Sequence, residues 1–476
     1  LENRKIDSFE SNLVIGVYYL KNRKYNLADK YFKKLKNKKN QEQTLKNLLS
    51  ISLNNWVSFL KTSESEALEL SSNLPTNLSD LKRIQDAFIY CFYESPKTEI
   101  KFKTLVSDKK NDFSRYYFFY VDYLHDSKKE DKAIETINYA LKFHPRNIIL
   151  NQLKQDLTSE KKESINNQFD CKNVSHVLAE IFYITSNVFS SQSIYFLSNF
   201  YLSLGKYLNP NFISFDFFEA ENFYMIENLE EAKNRYKKIL GSGRFYGWHA
   251  SKRIASILVE QGRDKEGLET ISNAYKKIIE PNINEIYDYA IFLKNNEKFT
   301  ESILEYNKIL KLINKEHYLY PKVSEGRGIA YENIGQWDKA EKDLLNSLEA
   351  SPDQAYVINY LAYSWIEKGI NIDKSLQMLE KANTLRENDG YIIDSLGWAL
   401  FKLKKYNESK KYLEMAVKIM PSDPTINDHY GDSLWMNNKE IAARYHWNYA
   451  LNSEEADKEL QKTIKKKLIF GLEQND

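Results

Sequence analysis

Small side chains recur along the last two-thirds of the chain at an almost constant interval, with apolar stretches filling the space between them. They stand at Ser186, Ala220, Ala255, Ala290, Gly328, Ala362, Gly397 and Gly431, separated by 34, 35, 35, 38, 34, 35 and 34 positions. A second small residue follows each one twelve or thirteen positions later, at Ser198, Ala232, Gly267, Ser302, Ala340, Ser375, Ser409 and Ala443. Two small residues per interval predict two helices that pack closely, because only a small side chain lets two helix backbones approach. The intervals place eight tandem units at about 178–211, 212–246, 247–281, 282–319, 320–353, 354–388, 389–422 and 423–456. Pro210, Pro281, Pro321, Pro352, Pro421 and Pro424 fall at or near the joins, where a helix must end.

Upstream the same logic continues less regularly. Residues 11–35 place Gly16, Tyr19, Tyr25, Ala28 and Phe32 as in a complete hairpin, and 114–145 does so through Leu124, Ala133, Ala140, Leu141 and Pro145. Two degenerate hairpins are expected in 41–107. Residues 146–172 mix acidic and basic side chains without a period, which predicts an irregular connector and the place for any hinge. The chain thus reads as irregular hairpins over 1–145, a connector at 146–177, eight units over 178–456, and a terminal helix and tail at 457–476. In the last segment Leu460, Ile464 and Leu468 share one face of a basic helix, which suits a cover for an unstacked terminal repeat.

A chain of 476 residues is too long for one ordinary core, but a repeat array grows a continuous one with length. Only 15 Gly and 9 Pro leave little room for long loops, so the chain is expected to be mostly helical. The net charge of +2 carries no electrostatic footprint for nucleic acid. Cys91 and Cys171 are too few for a disulfide framework or a multi-cysteine metal site, and their spacing leaves their pairing open. The chain opens on Leu1 rather than Met, as expected of a processed or trimmed product, so an export signal or membrane anchor ahead of it is left open. Residues 181–205 lack charge but are rich in Ser, Thr, Asn and Gln, which reads as a hairpin turning at Ser190-Ser191-Gln192 rather than a membrane span.

Unit 320–353 carries Gly328, Tyr331, Gly335, Trp337, Ala340, Leu344, Leu348 and Pro352, and unit 389–422 carries Leu396, Gly397, Tyr406, Leu413, Ala416 and Pro421. Held in register over eight units, this pattern resembles that of the tetratricopeptide repeat family over most of the chain. The resemblance implies an all-α fold, a right-handed α-solenoid of about eleven helical hairpins, working as a protein-binding scaffold. The run from Asp389 to Leu451 is also similar to the close of long bacterial repeat proteins that carry export or lipoprotein signals. Some of those are outer-membrane-anchored adaptors for periplasmic processing proteases. This implies a periplasmic or outer-membrane-associated setting, with a cytoplasmic one as the alternative.

Residues for catalysis are not gathered in the sequence. The seven histidines, His125, His144, His176, His249, His317, His429 and His446, are scattered, without the paired spacing and intervening Glu of a zinc site. Gly241-Ser242-Gly243 follows a predicted helix and lacks a phosphate loop's Lys, so it reads as an interhelix turn. No catalytic residue, metal or cofactor is expected.

A hairpin stack offers instead a concave face built by the first helix of each unit. Counting the first small residue as the eighth place, the second, fifth, ninth and twelfth share one face. They are Tyr356, Asn359, Tyr363 and Ile366, then Tyr391, Asp394, Trp398 and Phe401, then Thr425, Asp428, Asp432 and Trp435. The candidate groove residues are therefore Tyr356, Asn359, Tyr363, Tyr391, Asp394, Trp398, Asp428 and Trp435. Aromatics at Tyr363, Trp398 and Trp435 would supply contact area, and Asn359, Asp394 and Asp428 would bond a peptide backbone. The competing reading covers the aromatics with the solenoid itself or the terminal helix. Family members that clamp a C-terminal carboxylate use Lys and Asn where this chain has Asn359 with Tyr363 and Asp394 with Trp398, and acidic groups would repel that ligand. The expectation is a non-catalytic scaffold or adaptor for another protein, with a self-associating assembly factor as the alternative.

Overall fold

The structure, a computed structural model, describes residues 7–35, 44–108, 111–159 and 168–472. Among these residues there are 26 α-helices and no strand. Twenty-four form twelve consecutive pairs, one pair more than the expected count of about eleven. The two unpaired helices are Ile148–Thr158 and Lys458–Phe470.

A shared turn joins the helices of eleven pairs. The backbone N–H three residues past the first helix returns to a carbonyl five positions earlier, as in Lys405 to Leu400 and Lys439 to Leu434, at 2.9 and 3.0 Å. The residue before that donor takes a left-handed conformation, as at Gly262, Gly335, Lys404 and Asn438. This arrangement caps carbonyls that would otherwise be left bare at the helix end.

Every one of the sixteen small residues that set the sequence period is buried. Where the helices of one hairpin cross, a Cβ on Gly397 would stand 2.7 Å from the Leu413 side chain, and one on Gly431 would stand 2.5 Å from the Trp447 indole. The second helix of each hairpin drives one large side chain into the crossing: Leu202, Tyr236, Ile271, Tyr306, Leu344, Leu379, Leu413 and Trp447 are all nearly or fully buried. Small against large at a fixed offset is how interiors reach close packing.

The chain divides into two compact units, Leu1–Glu280 and Pro281–Asp476. In the first, the chain turns back on itself: Phe9–Lys21 packs against Tyr195–Leu208, and Thr44–Phe59 against Val174–Ser191. Within this unit the partly buried Arg115 guanidinium grips the buried Glu180 through two 2.8 Å hydrogen bonds, and it lies 3.5 Å from the Tyr183 ring centroid. Cys91 and Cys171 form a disulfide across 80 residues.

The expected irregular connector at 146–177 needs correction. Ile148–Thr158 is a helix, capped by Asn147, and it packs against Glu130–Phe143 and Arg244–Glu260. Its period was hidden because only Leu150, Leu153 and Leu157 carry the buried stripe; residues 160–167 lie outside the described residues. Gly243, with φ near 103°, opens the Arg244–Glu260 helix under the Gln152 side chain, which accepts a hydrogen bond from the Phe245 N–H at 3.0 Å. Val174–Ser191 and Tyr195–Leu208 are two helices joined at Gln192–Ile194. No described helix is long and apolar enough to cross a membrane.

The second unit holds five hairpins, from Ile283–Asn295 to Glu440–Leu451, followed by Lys458–Phe470. That last helix starts on the Asp457 cap and packs on Glu440–Leu451, burying Ile464 with Leu460 and Leu468 beside it.

Candidate functional site

The eight groove residues lie on the first helices of three successive hairpins, Ala355–Glu367, Gly390–Lys402 and Pro424–Met436. Their burial separates them sharply. Tyr356 and Tyr391 are half exposed, at 52% and 55%, whereas Asp394, Trp398 and Asp428 are buried. The Tyr356 hydroxyl donates to Asp389 at 2.8 Å, and Asp389 in turn caps the Gly390–Lys402 helix. Asn359, partly buried, has a side-chain oxygen that is buried with no hydrogen bond. The partly buried Tyr363 has its phenol held above the usual range, chiefly by burial, then by Glu367, Asp394 and Asp428.

Trp398 does not stand open as a groove wall. Its ring is stacked between Phe401, with centroids 4.8 Å apart, and His429, at 4.0 Å. Its indole N–H donates to Glu367 at 2.6 Å. His429 Nδ1 lies 3.0 Å from both oxygens of Asp394. Burial pulls the imidazole down, but the charge and hydrogen bond of Asp394 outweigh it and raise its pKa, which favours the charged ring. Asp394, expected to bond a peptide, is thus engaged by the next hairpin.

The last hairpin is closed by the terminal helix. Lys467 donates to Asp428 at 2.7 Å and to Asp432 at 2.8 Å. Asp432 also accepts from the Trp447 indole at 2.8 Å. Burial, reinforced by Asp428, pushes the Asp432 carboxyl up to about 6, while Lys467 pulls against that rise. Trp435 lies 5.4 Å from Trp447 and is covered by Gly471, where a Cβ would fall within 2.1 Å of its ring. The exposed part of the predicted face is therefore Tyr356 and Tyr391, with Asn359 and Tyr363 partly buried between them and Glu325 and Glu332 partly buried on equivalent places one hairpin earlier.

Two-helix units repeating every 34 or 35 residues, with one interval of 38 and paired small residues at each crossing, decide the repeat type. These hairpins have the form of tetratricopeptide repeats. No family model matches the chain. It is similar to a TPR repeat-containing protein of Pseudomonas aeruginosa, 24% identical over 220 residues, which is 45% of this chain and 36% of that protein. The chain thus matches about a third of the length of that curated relative. Among solved structures it is similar to a tetratricopeptide repeat protein of Parabacteroides merdae, at 16% identity and a TM-score of 0.43 over 52% of this chain and 96% of the other. It is also similar to MamA of Desulfovibrio magneticus, at 14% identity and a TM-score of 0.32 over 38% of this chain and 96% of that one.

Sequence reasoning placed its eight candidates on the first helices of three hairpins but missed their neighbours. His429, Glu367 and Lys467 occupy the partners of three predicted residues. His429 had a signal: it stands 35 residues after Asp394, one repeat on, so the two are brought together by stacking. Lys467 had none, because the terminal helix follows no repeat offset.

Proposed function

We propose that this tetratricopeptide-repeat chain is a non-catalytic scaffold whose second unit binds an extended or helical protein segment bearing basic side chains. The observation that carries this reading is a file of acidic and amide groups one hairpin apart: Glu325, Asn359, Asp394 and Asp428. His429 and Lys467 neutralise the last two. Asn359 keeps an unused buried acceptor, and Glu325 lies partly buried with its carboxyl raised, chiefly by burial. A basic side chain laid between Tyr356 and Tyr391 would meet acceptors of the kind that Lys467 meets at the chain's own end. Aromatic flanks add contact area at small entropic cost.

The disulfide supports placement in an oxidising compartment, in keeping with an envelope adaptor that presents a protease or its substrates. A photo-crosslinking residue at position 359 is expected to capture the partner, and one at Lys411, on the second helix of a neighbouring hairpin, is not. Replacing Tyr356 and Tyr391 with Ala should abolish the capture. Equal capture from both positions, or capture that survives the double replacement, sinks the groove assignment.

A further inference from the structure

In the first unit a cavity of about 380 Å³ opens beside the disulfide. Its inner wall is Phe102, Phe119, Phe169, the Cys91–Cys171 bridge and Asp122; exposed at its mouth are Glu94, Asp126, Asp170 and Lys172. Lys172 is engaged by Glu94. Asp122 is only 4% exposed, yet its carboxyl finds no hydrogen bond or ion pair among the described residues. A carboxyl desolvated without a partner is costly, and this one also has Asp126 and Asp170 for neighbours.

We infer that this cavity is a binding site for an organic cation, an ammonium or guanidinium group held by Asp122 against aromatic walls. Three independent features converge on that ligand. The unpartnered carboxyl demands a donor, and a charged donor gives the strongest contact. Phe102, Phe119 and Phe169 wall the cavity with aromatic rings, Phe119 and Phe169 meeting edge to face with centroids 4.6 Å apart, and aromatic rings attract cations. The mouth carries three carboxylates against one lysine, so the field draws cations inward. A bare metal ion fits less well: among the described residues no three His, Cys, Asp or Glu side chains are placed to hold one. The disulfide completes the site because Cys171 holds Phe169 and Asp170 against the Ser79–Phe92 helix, which carries Cys91.

Calorimetric titration of the full oxidised chain with cadaverine, and separately with propylguanidinium, is expected to give saturable binding at one site. Asp122→Asn keeps the side-chain volume and should weaken that binding about tenfold or more. Circular dichroism and melting of the variant report its fold; should it melt early, the exposed pair Asp126→Asn and Asp170→Asn is the second variant, expected to weaken binding severalfold. N-acetyl-Gly-Lys-Gly-amide separates the two sources of such a cation. Binding at least as tight as cadaverine assigns a partner's basic side chain, and binding of cadaverine alone assigns a free amine. Absence of saturation with all three probes, unchanged affinity in the folded variants, or binding of calcium or magnesium chloride in their place overturns the inference.

Discussion

Lys467 sets its ammonium 2.8 Å from Asp432, thirty-five residues earlier, and so fastens the terminal helix to the last repeat. The same ammonium meets Asp428 at 2.7 Å, and all three groups are largely buried. Removing the cation would leave two carboxylates without their partner. Lys467→Met, which keeps the aliphatic stem, is therefore expected to cost ~3–5 kcal/mol. Hydrogen exchange should show the loss in Lys458–Phe470 and Glu440–Leu451 before the earlier hairpins. Unchanged protection of both helices would mean that Ile464 and its apolar neighbours hold the cap alone.

The same cluster makes a pH prediction whose sign is fixed by two raised groups. Asp432 rises from an ordinary 3.8 to about 6, so its contribution is fullest below about 4 and is lost as pH climbs towards 6. His429 is also raised, and its contribution is present below 6.5 and lost as pH passes its folded value. Both slopes run the same way, so the terminal hairpin and cap should exchange more slowly at pH 5.5 than at pH 8, after correction for intrinsic rates. Glu221 in the first unit runs the other way. Burial opposes its ionisation, but His249 and Arg253 prevail and hold it at about 2, so its contribution is lost only on acidification below the ordinary 4.5. A cap better protected at pH 8 would contradict the assignment.

How far the sequence could be read depended on whether a feature is local. Paired small residues such as Gly431 and Ala443 revealed each hairpin because close approach excludes larger side chains, and that rule acts within one unit. The fate of the groove was not local. Asp394 and Trp398 hold their predicted places on the first helix, but the neighbouring His429 pairs with one and stacks on the other. Asp428 likewise depends on Lys467, whose helix lies outside the repeat. The short helix Ile148–Thr158 was lost for a third reason: three leucines among polar residues make a stripe too thin to stand out.

The hairpin turns hold a reserve of stability. Lys404 has φ near 61°, in the left-handed region where a Cβ crowds the following carbonyl, at a cost of roughly 1 kcal/mol. At the equivalent place two hairpins earlier stands Gly335, at φ 76°. Lys404→Gly should relieve that crowding while giving back part of the gain through a more flexible unfolded chain, for a net stabilisation of a few tenths of a kcal/mol. Lys404→Val should destabilise by more than that, since branching at Cβ worsens the same contact. Paired denaturant melts on the two variants check the order; Val equal to or above Gly would show that this turn relaxes to another conformation.

The disulfide should carry much of the first unit's stability. It closes a loop across 80 residues, and the loop-closure model assigns such a crosslink ~4.5 kcal/mol, by removing conformations from the unfolded chain. It also fixes the Phe169 segment against Phe88 and Phe119, so the folded state loses packing as well when the bridge is absent. Cys91→Ala with Cys171→Ala is expected to lower unfolding free energy by about 2–5 kcal/mol, with faster exchange in Ser79–Phe92 and Val174–Ser191. Reduction of the native chain should reproduce the effect. A loss below about 1 kcal/mol in both tests would mean that the aromatic packing around Phe169 holds the segment without the bridge.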